Sequence, residues 1–266
     1  MRPWVFALFV MFEMATLNGH LNATEAKTLV FVWGPINNRV LQIAEIQTDS
    51  DSGLITEVRL YDNSGVRRPS TTDYAEQATL VREHKLVTRT DRVLEYMLID
   101  SQDQQLLRFV VTDEQIVVTG DGFEHSRRIV FHSDSLGYEV YTGSVLAYQL
   151  RAEQESLRLV ANELETQYIY TGEVLDKVSR RYKDTVPRIA SVDGASSGHI
   201  VVEMPSYGDP GEFSHRIELW PYEMPRVTLE SAAINSYILP SSIVSLIFPF
   251  FAPTPQEILE QAAATE

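Results

Sequence analysis

Short runs in which apolar and polar side chains alternate, each closed by Asn, Asp, Gly or Ser, recur along most of this chain of 266 residues. Leu54, Thr56, Val58 and Leu60 share one face of such a run, with Glu57 and Arg59 on the other, and Asp62-Asn63-Ser64-Gly65 ends it. Phe213, His215, Ile217 and Leu219 alternate with Ser214, Arg216, Glu218 and Trp220 in the same way. Period-two alternation bounded by turn residues is the mark of a half-buried strand. Similar runs occupy 28–33, 39–47, 78–89, 92–99, 105–112, 115–119, 127–132, 137–150, 156–161, 166–171, 187–192, 199–204 and 226–230. Many strands, short turns and no β-α-β rhythm predict a mainly β fold: an antiparallel sandwich, or an open or closed barrel-like sheet.

Two segments carry helical signals, giving one internal helix and a short C-terminal one. From Glu173 to Asp184, Val174, Leu175, Val178 and Tyr182 recur at helical spacing, with Lys177, Arg180 and Arg181 near the end where cations favour the dipole. At the C-terminus, Thr254-Pro255-Gln256-Glu257 supplies an N-cap, a proline at the first helical position and a Glu three residues after the cap.

The N-terminus reads as an export signal. Arg2 precedes the apolar run Trp4 to Phe12, and Thr24 and Ala26 are small residues where cleavage after Ala26 needs them. Trp4 to Leu17 is shorter than the roughly 20 apolar residues of a membrane span. Residues 1–26 are therefore expected to be a signal peptide, 27–252 an antiparallel β domain with a candidate subdomain division near 67–77, and 253–266 a C-terminal helix or tail. The chain has no Cys, and a β domain of this size buries an adequate core without disulfides. Export without cysteine points to a bacterial periplasm or cell surface.

Composition excludes one broad class of partner. A formal charge of −15, with the basic pairs Arg67-Arg68, Arg127-Arg128 and Arg180-Arg181 scattered among acids, repels phosphate backbones. Nucleic acid is not an expected partner.

Ser231 to Gln256 is a stretch without a single charge. Three readings are open for it. It is long enough for a transmembrane helix only if Pro240 and Pro249 are accommodated. It reads with least special provision as core strands with prolines at edges. Or it is an apolar surface for a lipid, a membrane face or a partner protein, with Tyr237, Ile238, Ile243, Leu246, Phe248, Phe250 and Phe251 as the binding residues and Phe248 to Phe251 as the most exposed part.

Catalytic and metal signals are thin. Gly194-Ala195-Ser196-Ser197-Gly198 matches the G-x-S-x-G nucleophile elbow, and Asp209 and His215 follow in the order a Ser–Asp–His triad can take, with His199 as an alternative base. The elbow needs a helix after the serine, and a β run stands there instead. His132-Ser133-Asp134-Ser135 places triad residue types side by side, whereas triads assemble from separated positions. Asp49-Ser50-Asp51-Ser52-Gly53 resembles a calcium loop but carries Arg59 where the closing Glu belongs, so a polar hairpin turn is expected. The histidines show no paired ligand spacing, and no metal or cofactor is expected. Tyr138, Tyr141, Tyr148, Tyr168, Tyr170 and Tyr182 cluster mid-chain; Tyr148 is expected to share a face with Leu146 and Leu150, and such tyrosines ordinarily close a core edge with the hydroxyl in water.

The leading functional expectation is an exported, non-enzymatic envelope protein that binds an apolar ligand, a membrane face or a partner protein. A serine hydrolase using Ser196, and a structural subunit of an envelope assembly, are the alternatives.

Overall fold

The computed structural model describes residues 27–35, 40–64, 79–100, 103–112, 114–121, 123–132, 136–193, 200–205, 213–220, 227–239 and 248–263. Sixteen strands run in order around one closed antiparallel barrel, each hydrogen-bonded to its neighbours in sequence. They are β1 (Lys27–Pro35), β2 (Val40–Thr48), β3 (Ile55–Ser64), β4 (Thr79–Arg89), β5 (Val93–Asp100), β6 (Gln104–Val111), β7 (Gln115–Gly120) and β8 (Arg127–His132). There follow β9 (Gly137–Thr142), β10 (Val145–Glu153), β11 (Ser156–Ala161), β12 (Leu164–Thr171), β13 (Val174–Tyr182), β14 (Arg188–Asp193), β15 (Ile200–Pro205) and β16 (Phe213–Trp220). Closure comes from β1 against β16, with Val30 opposite Trp220 and Pro35 opposite His215. Among the alternatives the alternation allowed, the closed barrel is the one formed.

Local turn chemistry explains the up-and-down order. Two-residue loops, 143–144, 154–155, 162–163 and 172–173, join consecutive strands from β9 to β13. Gly143, Asn162 and Gly172 begin three of them with φ of +59°, +53° and +64°. Turns with positive φ match the twist of a hairpin, and Gly or Asn adopts that backbone most readily. The Asp49–Gly53 segment is the expected polar turn: Asp49 Oδ1 accepts from the amides of Asp51 and Ser52 and from Ser52 Oγ, and Gly53 has φ +65°.

Alternation sorts the two faces. Facing inward are Val58 and Leu60, Leu94 and Tyr96, Leu107 and Phe109, Ile116 and Val118, Tyr138 and Val140, Leu157 and Leu159, and Tyr168 and Tyr170, all buried. Facing outward are charged and polar partners that link neighbouring strands. Arg59 bonds Glu57 at 2.7 Å and Glu83 at 3.2 Å. Glu139 accepts from Tyr141 at 2.6 Å and Gln149 at 2.5 Å and pairs with His132 at 3.0 Å. Glu165 gathers Arg158 at 2.8 Å and Arg181 at 2.7 Å. Hydrogen bonds from Tyr141 and Arg158 respectively lower the carboxyls of Glu139 and Glu165, while burial raises that of Glu57.

Three sequence expectations are corrected. Glu173–Asp184 is not a helix: Val174–Tyr182 is strand β13. Its register shifts against β12 so that Tyr170 faces Leu175 and Ile169 faces Lys177, leaving Asp176 as an extra residue. The bulge turns Leu175 and Val178 to the same buried face, and that three-residue spacing imitates a helix. The run 137–150 is two strands broken at Gly143, and a shift between Leu146 and Tyr148 pairs Leu146 with outward Tyr141. Leu146 is thus 44% exposed and does not share the face of Tyr148 and Leu150. Residues 226–230, expected as strand, contain Thr228, whose Oγ1 accepts from Ser231 N at 3.0 Å as the cap of the internal helix α1 (Leu229–Ile238).

A closed sheet of this many strands leaves a lumen wider than facing side chains fill. Here the uncharged C-terminal segment enters it. Ala232, Ala233, Ile234 and Ile238 of α1, and then Phe248, Phe250, Phe251 and Ala252, are buried in one core with the inward residues of the strands. Phe248 to Phe250 form a single 3-10 turn, with the Phe248 ring 6.2 Å from that of Tyr168. Helix α2 (Pro255–Ala263) opens with the expected reciprocal cap: Thr254 N donates to Glu257 Oε2 at 2.7 Å and Glu257 N to Thr254 Oγ1 at 3.3 Å. Among the described residues no helix is long and apolar enough to cross a membrane.

Asn235 fastens α1 to the wall. Fully buried, it accepts from Ile55 N at 2.8 Å and donates to Gly53 O at 2.9 Å, satisfying the backbone where β3 begins. Asn235→Ala strands both groups and is expected to cost about 2–4 kcal/mol in urea unfolding. Gly137→Ala is expected to cost about 2–3 kcal/mol in the same measurement, because its Cβ would lie 2.0 Å from the Leu150 carbonyl oxygen across β9 and β10.

Candidate functional site

The C-terminal end of α1 touches the wall of β4 to β8 through Tyr237 and Ile238 without filling the space against it. Between them lies a cavity of about 460 Å³, the size range of small-ligand sites. Leu98, Leu106, Leu107, Phe123 and Leu239 supply apolar walls. His84, Arg82, Arg127, Tyr148, Ser236 and Tyr237 supply polar ones.

Strand register explains why polar side chains enter the lumen. On β4, Arg82 lies opposite inward Leu60, and His84 lies opposite Val58 and Leu98, so both point in. On β8, Arg127 lies two residues before inward Ile129. Its guanidinium carbon sits over the Phe123 ring at 4.4 Å and the Tyr237 ring at 5.7 Å from the centroids, within cation–π range. Tyr237 also stands edge-on to Phe109, with centroids 6.0 Å apart. Tyr148 OH bonds Ser236 Oγ, and Ser236 Oγ donates to Ala233 O at 2.6 Å, so the last turn of α1 is held against β10.

Burial sets the protonation of these groups. It raises the phenols of Tyr148 and Tyr138 far above their ordinary range and pushes that of Tyr237 up to about 12, so all three are neutral donors at physiological pH. It lowers the His84 imidazole below its ordinary 6.5, against a counteracting hydrogen bond to Ile238 O. His84 Nδ1 donates to that carbonyl at 2.7 Å, satisfying an acceptor that the end of a helix leaves free. A neutral imidazole has one N–H, so Nε2 is a bare lone pair, buried and without a partner among the described residues.

The rim has the opposite sign. Asp100 accepts from Asp103 N at 2.9 Å, Asp103 from Gln104 N at 2.9 Å, and Asp121 from Leu106 N at 3.1 Å. These exposed acids thus bind turn amides at the mouth, while Arg127 lies deeper between rings.

Of the residues singled out by sequence, Tyr237 lines the cavity, and Ile238 supplies the carbonyl that His84 caps. Phe248, Phe250 and Phe251 lie in the barrel interior rather than at an exposed face. Ile243 and Leu246 lie outside the described residues, as do Ser196, Asp209 and His199. His215 falls on β16 opposite Pro35 and Met204. His132 pairs with Glu139 on the outer face, and Ser133 to Ser135 lie outside the described residues. The tyrosines Tyr138, Tyr168 and Tyr170 are inside the core rather than at its wet edge. No cluster of three or more His, Asp or Glu suited to a metal occurs among the described residues.

Sequence reading passed over His84, Arg127 and Phe123. The signal was present in part, since Arg127 shares the face of Ile129 and Phe131, and a charge on the apolar face of an alternating strand is out of place unless something uses it.

No protein-family model matches the chain, and no curated protein sequence matches it. The chain is similar to a porin-like protein from Bacteroides uniformis ATCC 8492, known from a crystal structure, at 8% identity and a TM-score of 0.46. That likeness covers 74% of this chain and 97% of the other.

His84 makes the seating of α1 sensitive to acid. Below pH 6.5 the unfolded chain takes a proton on this histidine before the folded one does, so stability present above 6.5 is lost as pH falls through the lowered folded value. Urea unfolding at pH 7.5 and 5.5 is expected to show a larger loss for the wild type than for His84→Asn, whose amide N–H still reaches Ile238 O. Equal losses would remove His84 as the cause.

Proposed function

We propose that this chain is an exported β-barrel protein that binds a small amphipathic molecule in the cavity at the mouth of the barrel. The cavity carries the reading: the lumen is packed along α1 and around Phe248 to Phe251, yet about 460 Å³ stays open beside the last turn of α1. Its walls combine apolar side chains with a few convergent polar groups, the pattern of a site that orients a ligand. The outward ion-pair ladders suit a barrel working in water, since each charge turned to lipid costs roughly 2–4 kcal/mol at mid-membrane. Arg2 and the apolar run after it support export, and the cysteine-free composition supports a bacterial envelope. Within that setting the described part of the uncharged segment serves the barrel's own interior, and among the described residues Ser236, Tyr237 and Leu239 are the ones that meet the ligand.

The neutral fluorophore N-phenyl-1-naphthylamine tests this directly. The wild type is expected to take it up saturably at one site. Leu98→Trp, which extends an indole from β5 into the cavity, is expected to weaken that uptake by about tenfold or more while the barrel still unfolds cooperatively. Absence of saturable uptake by the wild type, or undiminished uptake by Leu98→Trp, overturns the assignment.

A further inference from the structure

On the premise that the mouth cavity holds a small amphipathic ligand, we propose that the ligand's polar end is an anion, a carboxylate or similar group, bound by Arg127.

Arg127 differs from the ion-paired arginines of the outer face, and from Arg128, which stacks on Tyr141 but is exposed to water. Arg59, Arg108, Arg158 and Arg181 each have a carboxylate within 4.0 Å. Arg127 has none among the described residues, and its partners are the Phe123 and Tyr237 rings. A ring face attracts the charge but is a poor acceptor for the five N–H donors of a guanidinium. Half-buried beside those rings, the group has lost part of its hydration without gaining an anion from the described residues. A ligand carboxylate entering the cavity supplies that anion in the bidentate geometry that guanidinium favours. Arg82 also lines the cavity but is exposed and lies opposite Asp100 across β4 and β5, so Arg127 is the better-placed cation.

The carboxylates that line the cavity do not perform this role. Asp100, Asp103 and Asp121 are exposed at the turns after β5 and β7, where they accept from backbone amides. They are exposed to water, whereas Arg127 is half-buried. His84 is held neutral by burial and faces the positive charge of Arg82. The phenols of Tyr148 and Tyr237 are neutral as well, so Arg127 is the fixed charge among the deeper lining residues. The apolar part of the ligand then lies along Leu98, Leu106, Leu107 and Leu239.

Isothermal titration of the full chain with decanoate and with decanol at pH 8 and low salt separates the two layers of the argument. The wild type is expected to bind decanoate about tenfold or more tightly than decanol, a preference that shrinks as salt rises. Arg127→Gln is expected to abolish the preference by weakening decanoate about tenfold, leaving decanol within about twofold. Arg127→Lys, which keeps the charge and loses the fork, is expected to retain part of it. Binding of both probes with equal affinity by the wild type, or an unchanged preference in Arg127→Gln, overturns the anion assignment while the cavity reading stands. Binding of neither probe overturns the cavity reading and the anion assignment with it. If Arg127→Gln fails to fold, Arg127→Lys together with the salt dependence decides the question: an undiminished preference insensitive to both overturns it.

Discussion

A closed sheet of sixteen strands encloses more space than the side chains pointing into it fill, and empty apolar volume is costly. The barrel meets this constraint with its own C-terminus. Helix α1, the Phe248–Phe250 turn and the residues after it lie against Tyr96, Phe109, Tyr138 and Tyr168, which stand inward from four different strands. The arrangement depends on polar anchoring as much as on apolar area. Asn235 completes the backbone hydrogen bonding at Gly53 and Ile55, His84 caps the carbonyl of Ile238, and Ser236 bonds Tyr148. Together they tie the last turn of the helix to β3, β10 and β4, so it has one seating rather than a slippery choice of many.

The outer face follows a different logic. Individual surface ion pairs contribute little, on the order of 0–1 kcal/mol each. Their arrangement matters more: Arg59 joins carboxylates on β3 and β4, Glu139 joins β8, β9 and β10, and Glu165 joins β11, β12 and β13. Cross-strand partners of opposite charge favour one register over a slip by a single residue, which would carry every charged side chain into the apolar lumen. Stability therefore lies inside the barrel and register specificity outside it.

The candidate site arises where the filling is incomplete. The wall of β4 to β8 and the end of α1 leave a gap, and the residues around it are unlike the rest of the lumen: a guanidinium between rings, a neutral imidazole with a bare nitrogen, and buried phenols. Charged and polar groups in such surroundings are expensive to keep. A barrel that merely needed a core would have apolar residues there, as it does around Phe248.

Alternation, turn residues and composition by themselves determined the β character, the antiparallel order, the position of nearly every strand and the C-terminal helix with its Thr254–Glu257 cap, because each depends on neighbours a few residues away. The tertiary structure decided the rest. The Asp176 bulge hid a strand behind helical spacing, since a bulge is visible only against its partner strand. Closure into a barrel required β1 to meet β16 across nearly two hundred residues of intervening chain. The uncharged segment was open to span, strand or exposed surface until the barrel supplied a lumen for its described parts. The cavity, too, joins Arg82 and His84 of β4, Phe123, Arg127 of β8, Tyr148 of β10 and Tyr237, which only the closure of the barrel and the docking of one helix bring to the same place. Local pattern encodes the face on which a side chain stands, whereas the groups it meets there depend on long-range packing.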